Sequence, residues 1–133
     1  MYSNARAGHQ AYQAGQVGSA DPLRIIILLY EGAIRFVRQA EQRFQDPATR
    51  GQALGRAHRI ISELLTSLDH EEGGEIARNL DGLYRFALDA ITRANVEMDP
   101  ALLPPVVDVL TKLLEGWTGV ERQARELGLL TQR

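Results

Sequence analysis

Side chains able to do chemistry are few in this chain, and they are scattered. The histidines are His9, His58 and His70, and only His70 stands in acidic company, beside Glu71 and Glu72 with Glu75 one turn further on. An imidazole and several carboxylates are a possible cation site. A di-metal helical bundle needs a stricter pattern, a Glu three residues before a His on an inward face, and none of the histidines has it. The same residues suit an acidic helix start, where carboxylates favour the positive end of the helix dipole. Gly73-Gly74 is not followed by the Lys-Ser/Thr of a phosphate loop. No hydroxyl, imidazole and carboxylate can be argued into a catalytic set from their spacing. The expectation is a protein without catalytic, metal or cofactor-binding residues, not an enzyme.

Composition narrows the classes further. With no cysteine, the 133-residue chain has neither disulfides nor Cys-based metal or redox sites, which suits a reducing compartment. The longest apolar run, residues 25–30, falls far short of the roughly 20 residues that span a bilayer. The polar start, Met1-Tyr2-Ser3-Asn4-Ala5-Arg6, lacks the order of a signal peptide. A cytoplasmic location without membrane insertion is expected. Fifteen basic and seventeen acidic residues give a net charge of −2, whereas a dominant nucleic-acid role would show a concentrated basic excess. Residues 1–62 carry eight Arg against four acids, and residues 63–133 seven basic against thirteen acidic, a pattern read as complementary charging of neighbouring helices.

The elements that must carry these residues are helical. Residues 1–18, rich in Gly, Ala, Gln, Asn and Ser, read as an arm, and residues 19–133 as one bundle domain. Asp21-Pro22 can open a helix, because the Asp side chain caps free amides and Pro is tolerated in the first turn. Leu23, Ile26, Ile27, Tyr30, Ile34, Val37 and Phe44 then recur at three- and four-residue steps until Asp46-Pro47. A second stripe runs from Ala53 to Leu68 before Gly73-Gly74 breaks the chain. A third runs from Ile76 to Ala94, and a fourth, starting near Pro104, from Val106 to Leu127. Four amphipathic helices with short connections predict an all-α, antiparallel up-down-up-down four-helix bundle with a mobile N-terminal arm.

Two of these helices carry more apolar surface than a bundle core uses. The first adds Ile25, Leu28, Leu29, Ala33, Phe36 and Ala40 to its stripe, and the fourth adds Val109 with Leu102 and Leu103 before it. A broad core accounts for some of this. Any excess left exposed would need a cover: the arm, a second copy of the chain, or a partner segment.

The arm and first helix, Met1 to Ala5, Tyr12, and Leu28-Leu29-Tyr30-Glu31-Gly32-Ala33-Ile34-Arg35-Phe36, resemble the opening of the flagellin export chaperone family, FliS. The resemblance continues through Ile60-Ile61-Ser62-Glu63-Leu64, Ser67-Leu68-Asp69, Gly73-Gly74-Glu75-Ile76-Ala77, Asn79-Leu80, Leu83-Tyr84, Ala94-Asn95 and Trp117. It implies a chaperone that binds the disordered C-terminal segment of flagellin, prevents premature polymerisation and aids delivery to the flagellar type III export gate. It also implies an N-terminal arm that caps part of the groove when the client is absent. Client-binding or groove-capping residues on this reading are Tyr2, Asn4, Ala5, Tyr12, Leu23, Ile26, Ile27, Tyr30 and Ile34. His9, three before the arm tyrosine, departs from the aliphatic residue common in the family. The alternative from another class is a regulatory or structural bundle that self-associates as a homodimer.

Overall fold

A computed structural model describes residues 21–128 of the chain. They form four helices, α1 (Pro22–Gln42), α2 (Pro47–Thr66), α3 (His70–Val96) and α4 (Leu103–Glu126), with a 3-10 turn at Pro100–Leu102 leading into α4. Among the described residues there is no strand. The connections at 43–46 and 67–69 are too short to return the chain to the same end, so successive helices run antiparallel. Helix α1 packs on α2 and α4, α2 packs on α3, and α3 closes the ring against α4 along the sparsest of the four seams.

One sequence device starts three of the five elements. Asp21, Asp46 and Asp99 each precede a proline, and each carboxylate accepts a hydrogen bond from a backbone N–H of the first turn. The fixed φ of proline suits that turn, where its missing N–H would have had no partner. Asp46-Pro47, expected to stop α1, therefore also begins α2, one and a half turns before the apolar stripe shows. Asp69 supplies the same cap to α3 through Glu71 N and Glu72 N at 3.1 and 3.0 Å.

The glycine pair breaks α3 without ending it. Gly74 has φ 54° and ψ −125°, outside the helical region, so a capped first turn is set at an angle to the rest of the helix. The opposite end closes with a helix-terminating loop in which Asp99 N–H bonds the Ala94 carbonyl at 3.0 Å. That loop puts Met98 at φ 54°, a conformation normally left to glycine. Helix α4 continues unbroken through Gly116 and Gly119.

The core is the sum of the inward stripes. Leu23, Ile26 and Ile27 of α1, Leu54, Ile61 and Leu64 of α2, Ile91 of α3, and Leu103 and Leu110 of α4 are all buried. Each such side chain contributes roughly 1.5–3 kcal/mol relative to exposure. The surplus on α1 is largely absorbed, since Ala33 and Ala40 are buried and Leu29 and Phe36 pack against the core. Leu28 remains 55% exposed.

Candidate partner-binding surface

At the centre of the bundle three aromatic side chains from three helices meet. The hydroxyls of Tyr30 on α1 and Tyr84 on α3 share a hydrogen bond at 2.5 Å across the diagonal of the bundle. The Tyr30 ring lies 6.2 Å from that of Tyr84 and 6.4 Å from that of Trp117 on α4, both tilted, an arrangement favoured by the ring quadrupoles. Burial raises the Tyr30 pKa to about 12, because an ionised phenolate would have no water around it, although Tyr84 and Trp117 offset part of the rise. The cluster holds α1, α3 and α4 at a fixed separation.

That separation leaves an open seam between α3 and α4. Ile76 and Leu80 on α3 face Leu113, Gly116, Trp117 and Val120 on α4 across a groove of about 320 Å³, with Lys112 on its edge. Trp117, buried and with its ring against Tyr30, lines the groove between the half-buried Leu113 and Val120. A Cβ placed on Gly116 would meet nothing within 4 Å, so α4 exposes bare backbone to the groove there. Ile76, two residues after the Gly74 kink, is 37% exposed at one end of the seam. Phe86 on α3 is also exposed. An apolar trough between two helices is the geometry that receives an amphipathic helix or an extended segment with spaced apolar side chains.

Where α1 begins, an ion cluster pins it to the end of α4. Arg24 and Arg125 each place a guanidinium nitrogen 3.4 Å from Glu121 Oε1, and Arg125 also lies 3.4 Å from Asp21. Glu121 is only 5% exposed, and two cations offset the cost of taking its charge out of water. This clamp fixes the start of α1 against the last turns of α4.

Of the residues singled out from sequence, Leu23, Ile26, Ile27 and Tyr30 lie in the interior, each no more than 2% exposed. Their stripe faces the other three helices, so they form the frame behind the grooves rather than a groove surface. Ile34 is half-buried and does line an open groove, between α1 and α4 opposite Leu114. Tyr2, Asn4, Ala5 and Tyr12 lie outside the described residues. The α3–α4 groove residues Ile76, Leu80, Leu113, Trp117 and Val120 were legible only as core stripe positions. The available signals were the extra apolar width of α4 and the unexplained Gly116 in its middle. Among the described residues no group of three or more His, Asp or Glu is placed to hold a metal ion, and no helix is long and apolar enough to cross a membrane.

Comparison with known proteins identifies relatives over most of the chain. The family model described as "Flagellar protein FliS" matches residues 4–124. The chain is 34% identical over 128 residues to the flagellar secretion chaperone FliS of Vibrio cholerae, covering 92% of this chain and 94% of that one. It is 36% identical over 114 residues to the Campylobacter jejuni chaperone of the same name, covering 84% and 89%. It is 39% identical over 108 residues to the flagellar secretion chaperone FliSB of Pseudomonas aeruginosa, covering 79% and 85%. These relatives are named as chaperones, a class without catalytic turnover.

Proposed function

Because the chain belongs to the FliS family of flagellar secretion chaperones, we propose that it binds the disordered C-terminal segment of flagellin in the cytoplasm and seats part of it in the α3–α4 groove. In doing so it prevents premature polymerisation and presents the client to the flagellar type III export gate. The observation that carries this reading is the apolar trough of Ile76, Leu80, Leu113, Trp117 and Val120, held open by the buried aromatic cluster in a chain of this family.

The energetics ask for more than one pocket. A disordered segment loses conformational entropy on binding, so its apolar burial must exceed that cost, which favours a long client wrapped over several grooves. In this reading Leu23, Ile26, Ile27 and Tyr30 keep the helices at the spacing the client needs. Residues 1–18, with Tyr2, Asn4, Ala5 and Tyr12, act as an arm that covers a groove until the client arrives.

Titration calorimetry of the full chain against the C-terminal segment of its own organism's flagellin tests the proposal. Saturable one-to-one binding with a large negative heat-capacity change supports a wrapped apolar interface. An absence of binding with both components soluble overturns it, and a concentration-dependent dimer in the same samples would favour the self-associating bundle.

A further inference from the structure

On the other side of α4 from the proposed client groove, the outer face of α1 and α2 carries a second surface of different character. Arg35 and Arg38 on α1 and Arg56 and Arg59 on α2 are all exposed. Among the described residues none of the four is in a salt bridge, and neither are Arg43, Arg50, Arg78 and Arg122, whereas Arg24, Arg85, Arg93 and Arg125 are. Glu31 and Glu63, four residues from Arg35 and Arg59, make no such pair with them. Arg35 and Arg56 instead approach the half-buried Phe36 ring from two helices, each 5.5 Å from its centroid. Stacking on an aromatic ring holds a guanidinium in place and leaves its N–H groups available to an incoming acceptor.

Arg35 and Arg38 also line the α1–α4 groove, about 610 Å³ in volume, together with Gln39, Gln42, one carboxylate, Glu31, and the apolar Ile34 and Leu114. Along α1 it extends from Glu31 to Gln42, about 16 Å, or three helical turns. We propose that this groove and its arginines are a docking site for an acidic amphipathic polypeptide segment from a second protein, separate from the client groove and independent of the client's identity. Apolar side chains of the segment would lie on Ile34 and Leu114, and its carboxylates would pair with Arg35 and Arg38.

The occupant follows from chemistry. Guanidinium groups match carboxylates in bidentate geometry, which favours an acidic partner. Apolar side chains beside cations suit a polypeptide that alternates apolar and acidic faces. A nucleic acid would call for a basic excess, and the chain carries a net charge of −2. A bilayer would call for a protruding apolar face, and here the apolar residues are the recessed part.

The test uses the full chain and a fluorescein-labelled amphipathic peptide of about four helical turns, Leu on one face and Glu on the other. A scrambled peptide of the same composition serves as control. Fluorescence anisotropy should show saturable binding that weakens with added salt, at least about tenfold weaker for the Arg35→Glu/Arg38→Glu variant and for the scrambled peptide. Both arginines are exposed, so circular dichroism should show the variant folded. Absence of saturable binding, equal binding by the variant, or equal binding by the scrambled peptide would overturn the proposal. Tighter binding to duplex DNA or to anionic lipid vesicles would also overturn it and reassign the face to that partner.

Discussion

Replacing Tyr30 with phenylalanine should destabilise the protein at neutral pH and cease to do so in alkali. The hydroxyl shares a buried hydrogen bond with Tyr84 at 2.5 Å, so its removal costs about 1 kcal/mol near pH 8. The Tyr30 pKa is raised from 10.0 to about 12, chiefly by burial. A folded-state value above the unfolded one means that the neutral phenol favours folding fully below pH 10. That contribution is lost as the pH rises through 12, because the unfolded chain ionises first. For a two-unit difference the wild type loses about 1.4 kcal/mol between pH 8 and pH 11 from this residue, and about 2.3 kcal/mol by pH 12. Phenylalanine has no such loss. Urea unfolding of both proteins, followed by the fluorescence of Trp117, the only tryptophan, measures the difference directly. The variant should be about 1 kcal/mol less stable at pH 8 and level with, or slightly above, the wild type at pH 11. A gap that stays constant between the two pH values would refute the view that Tyr30 is a buried phenol held neutral by its surroundings.

Other outcomes follow from local backbone and packing. Met98, 68% exposed at φ 54°, should yield a protein about 0.5–1 kcal/mol more stable as Met98→Gly, read as a higher urea midpoint. Gly74→Ala should lower stability by about 1–3 kcal/mol although its Cβ would have open space, since φ 54° with ψ −125° strains any residue with a side chain. Leu110→Ala, in the closed core of α4, should cost about 2–5 kcal/mol by the same assay. Asp46 is held below the usual carboxylate range first by the hydrogen bond from the Thr49 side chain and then by backbone N–H groups. A depressed pKa gives stability that is present above the unfolded value and lost as pH falls through the folded one, so Asp46→Ala should lower the midpoint at pH 7 more than at pH 2.

The helices and their inward faces could be read from spacing alone, because Leu, Ile and Ala at three- and four-residue steps have one economical solution. The resemblance carried by Leu28 to Phe36 and by Gly73 to Ala77 gave the family. Helix starts were less legible. Asp46-Pro47 signals both the end of α1 and the beginning of α2, and only the observed cap on Ala48 and Thr49 shows the second role. The binding surface was harder still. Leu23, Ile26, Ile27 and Tyr30 are conspicuously apolar, and the bundle uses that character for its interior. Leu113 and Val120 look like further core residues, yet they wall a groove because α3 stands away from α4 along that seam. Spacing between helices depends on bulky groups contributed by several of them, here Tyr30, Tyr84 and Trp117 together, and no single stripe reveals it. Free arginines pose the same difficulty, since whether Arg35 and Arg56 find carboxylates depends on which helices become neighbours.

The most direct test of the central claim is the dissociation constant of the flagellin C-terminal segment for the wild type and for a Leu113→Asp/Val120→Asp variant, measured by calorimetry on protein shown to be folded. The expected result is one-to-one binding by the wild type and at least about a tenfold loss in the variant, about 1.4 kcal/mol or more, because two desolvated carboxylates would replace the groove walls. Equal affinities would contradict the placement of the client in the α3–α4 groove, and no binding by either protein would contradict the client itself.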